Sequence, residues 1–177
     1  MSTEFKTEVK NTGSGVSAAV KFKDADAEAI VRRNSLWALG VGLLPLPGLD
    51  LLGVTAIQIK MLNELARNYK VEFSENRAKS ILSSLAGGLG TLAGAPVLFS
   101  LVKVIPILGQ TAGLVSMPLS AGAFTYAVGK IFTQHFASGG TFLSFDPESV
   151  RDHFRSEFES AKQTVKDMQK ESGAPHS

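Results

Sequence analysis

Hydrophobic and polar positions divide the chain into charged ends and a nearly uncharged middle. The 55 residues from Ile81 to His135 contain only two charged side chains, Lys103 and Lys130. Uncharged runs of 23 and 26 residues lie on the two sides of Lys103. A helix needs about 20 apolar residues to cross a bilayer, so each run is long enough. The pattern predicts a hydrophobic helical hairpin that turns near Pro106 and Gly109, and it makes membrane contact the strongest functional signal.

A second, shorter hairpin precedes this one in the chain. Its first helix is predicted from about residue 25 to Leu44, and its second from Leu51 to Tyr69, with Asp50 placed to cap the second helix. Prolines and a glycine between them stop a helix. The uncharged parts of its arms are short for a comfortable span. The alternatives to a span are therefore a re-entrant wedge and a hairpin packed on its neighbour. The residues assigned to the two hairpin turns are Pro45, Pro47, Gly48, Asp50, Pro106 and Gly109.

Basic residues mark the ends of the apolar runs. The loop from Lys60 to Lys79 carries five positive and three negative residues, and two arginines precede the first apolar run. By the positive-inside rule we expect both segments on the cytoplasmic side, so the sequence predicts a bacterial inner-membrane protein with both termini in the cytoplasm. Trp37 is either an interfacial or a core tryptophan. The predicted membrane-boundary residues are Arg32, Arg33, Trp37, Lys60, Lys79 and Lys130.

Small residues recur at four-residue spacing in the longer hairpin, where they allow helices to approach closely in lipid. The residues predicted to pack helices or subunits together are Ala86, Gly90, Gly94, Gly109 and Gly113. Farther along, Asp146-Pro147-Glu148 predicts the start of an amphipathic helix that runs to about Lys170. Its apolar stripe is Val150, Phe154, Phe158, Ala161, Val165 and Met168. We expect this stripe to dock on the same chain or on a partner helix, and we expect a homo-oligomer.

Composition and motifs give no sign of an enzyme. The net charge of +2 is too small to indicate nucleic-acid binding, and the absence of cysteine excludes disulfides and Cys-ligated metals. His135, His153 and His176 lack metal-ligand spacing, and phosphate-loop, dinucleotide, G-x-S-x-G and H-E-x-x-H motifs are missing. The sequence therefore predicts no catalytic residues, no cofactor and no metal.

Several motifs together resemble a known family. Arg32-Arg33, the stretch from Gly42 to Leu82, Ile105-Pro106-Ile-Leu-Gly109 and the stretch from Phe124 to Lys130 closely resemble the YcjF-like family, domain of unknown function 697, over roughly 25–137. The resemblance implies a helical membrane-associated module, often joined to or encoded near Ras-like GTPase domains in bacteria. It supplies no catalytic residues, and any GTPase would be a separate protein.

These observations predict an all-α protein of two membrane-embedded hydrophobic hairpins plus a C-terminal amphipathic helix. The domains are a flexible N-terminal arm (1–24), a YcjF-like helical membrane domain (25–137), and a linker with the amphipathic helix (138–177). The predicted function is a non-enzymatic membrane module that scaffolds or anchors partners and self-associates. The alternative is a soluble self-assembling shell protein that buries its apolar faces between subunits.

Overall fold

A computed structural model of the chain describes residues 24–42, 49–90 and 110–173. These ranges form helices and turns without any strand, which confirms the all-α class for the described part of the chain. The helices are α1 (24–41), α2 (Leu49–Tyr69), α3 (Glu75–Gly90), α4 (Gln110–Ala137) and α5 (Arg151–Gly173). Within the same ranges, no helix combines the length and the apolar composition that crossing a bilayer requires.

Local chemistry explains where α2 ends and α3 begins. Lys70 takes a left-handed conformation (φ 58°), and its amide donates to the Arg67 carbonyl at 3.2 Å. The Val71 amide reaches back to the Ala66 carbonyl at 2.8 Å, which completes a Schellman motif. Ser74 then precedes the first residue of α3, and its carbonyl accepts a hydrogen bond from the Ala78 amide at 2.9 Å.

Helices α1 and α2 form an antiparallel pair. Arg33 on α1 contacts Glu64 on α2, whereas Val41, farther along α1, lies against Gly53 near the start of α2. The helical pair that the sequence predicted for the first hairpin is therefore present. Its turn residues Pro45, Pro47 and Gly48 lie outside the described residues, as do Pro106 and the 91–109 segment of the second hairpin.

Helix α4 lies at the centre of the bundle. It has its most extensive contacts with α5 and further contacts with α2. On α1, Val31 packs against Gly129 and Leu39 packs against Gly122, so α1 runs antiparallel to α4. The core of the bundle is thus built largely around the second half of α4, where most side chains from Gly122 to Phe132 are buried.

Helix α5 crosses α4 from the side of α3 to the side of α1. Near its start Arg151 contacts Gly88 of α3, and near its end Glu171 forms an ion pair with Arg32 of α1 at 2.8 Å. Between these points Phe154 packs edge-to-face on Phe124, and Val165 lies against Gly122. The predicted apolar stripe therefore docks on its own chain, not on a partner helix.

Two predicted helix starts differ from the structure. Helix α5 begins at Arg151, because residues 147–150 form a turn in which the Asp146 carboxylate accepts the Glu148 amide at 3.1 Å. Helix α2 begins at Leu49, so Asp50 lies in its first turn and not at the cap position.

Candidate functional site

The two ends of the bundle differ in chemistry. At the aromatic end, Phe73, Phe132, Phe136, Phe142 and Phe145 form a cluster of ring contacts beside the 138–150 loop. At the other end, Gly42 meets Pro118 and Val41 meets Gly53. Helices α1 and α3 end on that side, and α2 and α4 begin there, and we therefore call it the turn end.

The turn end exposes large apolar side chains. Trp37 is 63% exposed and Leu52 is 69% exposed, with Gly40 and Ala56 also exposed on the same two helices. The exposure of Trp37 favours the interfacial interpretation of this residue over the core tryptophan. A third exposed residue, Leu143 at 74%, lies in the loop at the aromatic end.

A charged belt, formed by Arg32, Arg33, Lys60 and Glu64, lies between these apolar residues and the aromatic end. Glu64 accepts from Arg33 at 2.9 Å and lies 3.3 Å from the Lys60 ammonium. The buried Asn34 amide donates to the same carboxylate at 2.8 Å. This network ties α1 to α2 at the point where the outer surface changes from apolar to charged.

The structure brings most of the predicted boundary residues close to this belt. Lys130 follows Gly129, which packs on Val31, so it lies level with the belt on α4. Lys79 lies one turn into α3 and pairs with Glu75 at 2.7 Å. The 70–74 connection is short, so Lys79 follows the last turn of α2 by only ten residues.

The pKa of Glu64 is lowered by its partners. Burial alone would raise it, but the hydrogen bond from Asn34 and the charges of Arg33 and Lys60 outweigh burial, so the pKa lies below the ordinary value of 4.5. A carboxyl whose pKa is lower in the folded state stabilises the fold above its unfolded pKa. That stability is lost as the pH falls through the folded pKa.

Glu64→Gln is therefore expected to lower the free energy of unfolding by about 1 kcal/mol at neutral pH, with the difference vanishing in acid. Urea denaturation of both proteins between neutral pH and values well below 4.5 measures this. Glu75→Gln, which alters the more exposed pair with Lys79, is the control and should have a smaller effect. If the free energy of unfolding of Glu64→Gln differed from that of the parent by the same amount at every pH in this range, the assigned role of the carboxylate would be contradicted.

The small residues that were predicted to pack helices together lie on α3, on α4 or outside the described residues. Ala86 is exposed on α3, Gly90 is the last residue of α3, and Gly113 lies in the first turn of α4. Gly94 and Gly109 lie outside the described residues. Their role in packing or self-association stays a prediction.

Two other glycines, both on α4, are in close contact with neighbouring helices. A methyl group on Gly129 would lie 2.6 Å from a Val31 methyl carbon, and one on Gly122 would lie 3.0 Å from Val165. Gly122 and Gly129 stand seven residues apart, which is two turns on one helix face. A search for seven-residue spacing as well as four would have found them.

Taken together, the described helices form an all-α bundle with an apolar turn end, a charged belt and a C-terminal helix folded back across its central helix. A family model described as "Domain of unknown function (DUF697)" matches residues 14–171. The chain belongs to this family, which confirms the resemblance found in the sequence. The matched range extends beyond 25–137 and includes nearly all of α5.

A curated relative supports the same assignment. Magnetosome membrane protein 22 of Magnetospirillum gryphiswaldense is 37% identical over 141 residues, which cover 79% of this chain and 72% of the relative. No solved structure matches the chain. Neither the family description nor the name of the relative indicates a catalytic class.

Proposed function

We propose that this protein is a non-enzymatic, membrane-associated helical module that anchors or scaffolds partner proteins. The observation that carries the proposal is the exposed apolar surface of the turn end, with Trp37 and Leu52, next to the charged belt. Aromatic and basic residues beside an apolar surface are typical of a membrane interface. The relative's name, a magnetosome membrane protein, agrees with this proposal.

The turn end is the part of the module that contacts lipid. The connection over 91–109 has a single charged residue, Lys103, and the connection over 43–48 has none. We propose that the two hairpins enter the bilayer by this end, with the belt near the headgroups. The basic loop between Lys60 and Lys79 then lies on the cytoplasmic side of a bacterial inner membrane, together with both termini.

The proposed position of the module in the membrane also indicates where a partner protein can dock. With the turn end in lipid, the aromatic end and the polar face of α5 project into water, where a separate protein such as a GTPase can dock. Self-association is a further part of the proposal. Because the stripe of α5 is buried on α4, self-association would rest on the small residues Ala86, Gly90, Gly94, Gly109 and Gly113.

A soluble self-assembling protein is the second candidate. The observation that favours it is the packing of α5, whose buried apolar side chains cover α4 while its outer face carries charges of both signs. Such a core is typical of helical proteins in water. In this case Trp37 and Leu52 would be covered by another subunit instead of by lipid.

Vesicle flotation tests the proposal. The full chain is expected to float with vesicles of phosphatidylethanolamine and phosphatidylglycerol. The double variant Trp37→Glu/Leu52→Glu should lower the bound fraction several-fold, because each change introduces a charge where apolar surface meets lipid. Leu143→Glu makes the same change at an equally exposed leucine of the aromatic end and should float as the parent does.

Circular dichroism of all three proteins checks that helix content is unchanged. Equal flotation of the double variant and of Leu143→Glu would contradict the assignment of the turn end to lipid. A parent protein that does not float but forms a defined oligomer, which the double variant breaks, would favour the second candidate.

A further inference from the structure

A cavity of about 630 Å³ lies between α2, α3 and α4, beside the last residue described after α1. Its walls are mainly apolar, with Val54 from α2, Leu82 from α3, and Ala121 and Phe124 from α4. Its volume falls within the roughly 300–1,000 Å³ of small-molecule sites, which combine apolar walls with a few placed polar groups. No part of the proposed membrane contact requires this cavity.

The most buried polar side chain among the described residues that line the cavity, Gln58, has a hydrogen-bond partner within the protein. Gln58 is only 5% exposed, and its Nε2 donates to the Thr125 hydroxyl at 3.2 Å. An apolar ligand at this wall therefore leaves the Gln58 amide nitrogen with its hydrogen bond and avoids the cost of burying an unpaired donor.

The charge at the rim is positive. Among the described residues that line the cavity, Lys79 is the one charged side chain, and no carboxylate accompanies it. Its partner Glu75 lies one turn earlier on the same face of α3, and both side chains are more than half exposed. Exposed pairs of this kind contribute little, about 0–1 kcal/mol, so the ammonium can exchange Glu75 for another anion.

We propose that this cavity binds a single-chain anionic amphiphile of the fatty-acid class. The hydrocarbon chain lies against Val54, Leu82 and Phe124, and the carboxylate accepts a hydrogen bond from the Lys79 ammonium. A site of this volume suits one small molecule, whereas a protein partner would need an interface of about 1,200 Å² or more.

Fluorescence titration of the full chain with parinaric acid, a fluorescent long-chain fatty acid, tests the proposal in the absence of vesicles. Saturable binding of one ligand per chain is expected. Ser83→Phe places a ring in the cavity and should weaken binding by about tenfold or more, which corresponds to 1.4 kcal/mol. Ser84→Phe makes the same change at the next residue, which is also exposed but does not line the cavity, and should bind as the parent does.

The head group is tested with Lys79→Gln. This change should weaken binding of the acid and leave binding of the corresponding alcohol unchanged, because only the acid uses the ammonium. Lys166→Gln removes the same charge from an exposed position on α5 and should affect neither ligand.

Three results would overturn the proposal: non-saturable binding, equal losses for Ser83→Phe and Ser84→Phe, or equal losses of acid and alcohol in Lys79→Gln. Because the assay contains no vesicles, it is independent of flotation. A protein that floats but binds no parinaric acid would refute this site alone, and one that binds the acid but does not float would refute the membrane proposal alone.

Discussion

Phe132→Ala is expected to lower the free energy of unfolding by about 3–5 kcal/mol, the usual cost of removing a buried phenylalanine. The Phe132 ring is fully buried and stacks nearly parallel on Phe145, with centroids 4.5 Å apart. The ring centroids of Phe136 and Phe142 each lie 5.4 Å from the Phe132 centroid. Removing this ring leaves a void between α4 and the 138–150 loop that the remaining rings cannot all fill.

Urea denaturation followed by circular dichroism measures this loss. The control is Phe158→Ala on α5, a partly buried ring beneath the Lys162 ammonium, which should cost much less. If Phe132→Ala cost no more than the control, the aromatic cluster would not stabilise the fold to the extent that its ring contacts indicate.

Gly129→Ala is the second large effect, with an expected loss of about 1–3 kcal/mol from overpacking. An added methyl group would lie 2.6 and 2.7 Å from the two Val31 methyl carbons, so α1 and α4 must move apart. This loss appears even though alanine is the better helix former by up to about 1 kcal/mol.

Gly87→Ala provides a matched control on α3. No atom lies within 4 Å of a methyl group added there, so only helix propensity acts and stability should rise. Val31→Ala removes the clashing methyl carbons, and the double variant should recover part of the loss relative to the sum of the single changes. A neutral or stabilising Gly129→Ala would show that α1 does not pack on this face of α4.

Local pattern accounts for the helices and for many of their ends. Helix α4 ends at Ala137, directly before Ser138-Gly139-Gly140, and Gly139 takes a positive φ of 84°. The spacing of apolar residues along the C-terminal helix predicted its buried face, with Phe154, Ala161, Val165 and Met168 all buried. These features depend on neighbours a few residues away, and a single sequence contains that information.

The start of α5 shows where local signals conflict. Asp146-Pro147-Glu148 is a strong helix start by residue type, and the Asp146 carboxylate does accept a nearby amide. Residues 147–150 nevertheless form a turn, with Val150 packed against the core and Phe145 stacked on Phe132. The loop before α5 thus packs against the aromatic cluster, and the helix begins only after that contact.

The amino-acid pattern alone predicted the helical class, the paired antiparallel helices α1 and α2, the buried stripe of α5 and the family. The three-dimensional packing was needed to show that α5 folds across α4, that Gly122 and Gly129 are in close contact with side chains of other helices, and that Arg33, Lys60 and Asn34 meet at Glu64. The physical reason is that periodicity specifies which face of a helix is apolar, whereas the choice of its neighbour depends on complementary shapes and charges far away in the chain. Arg32 and Glu171, which are 139 residues apart and form an ion pair, show how long that distance can be.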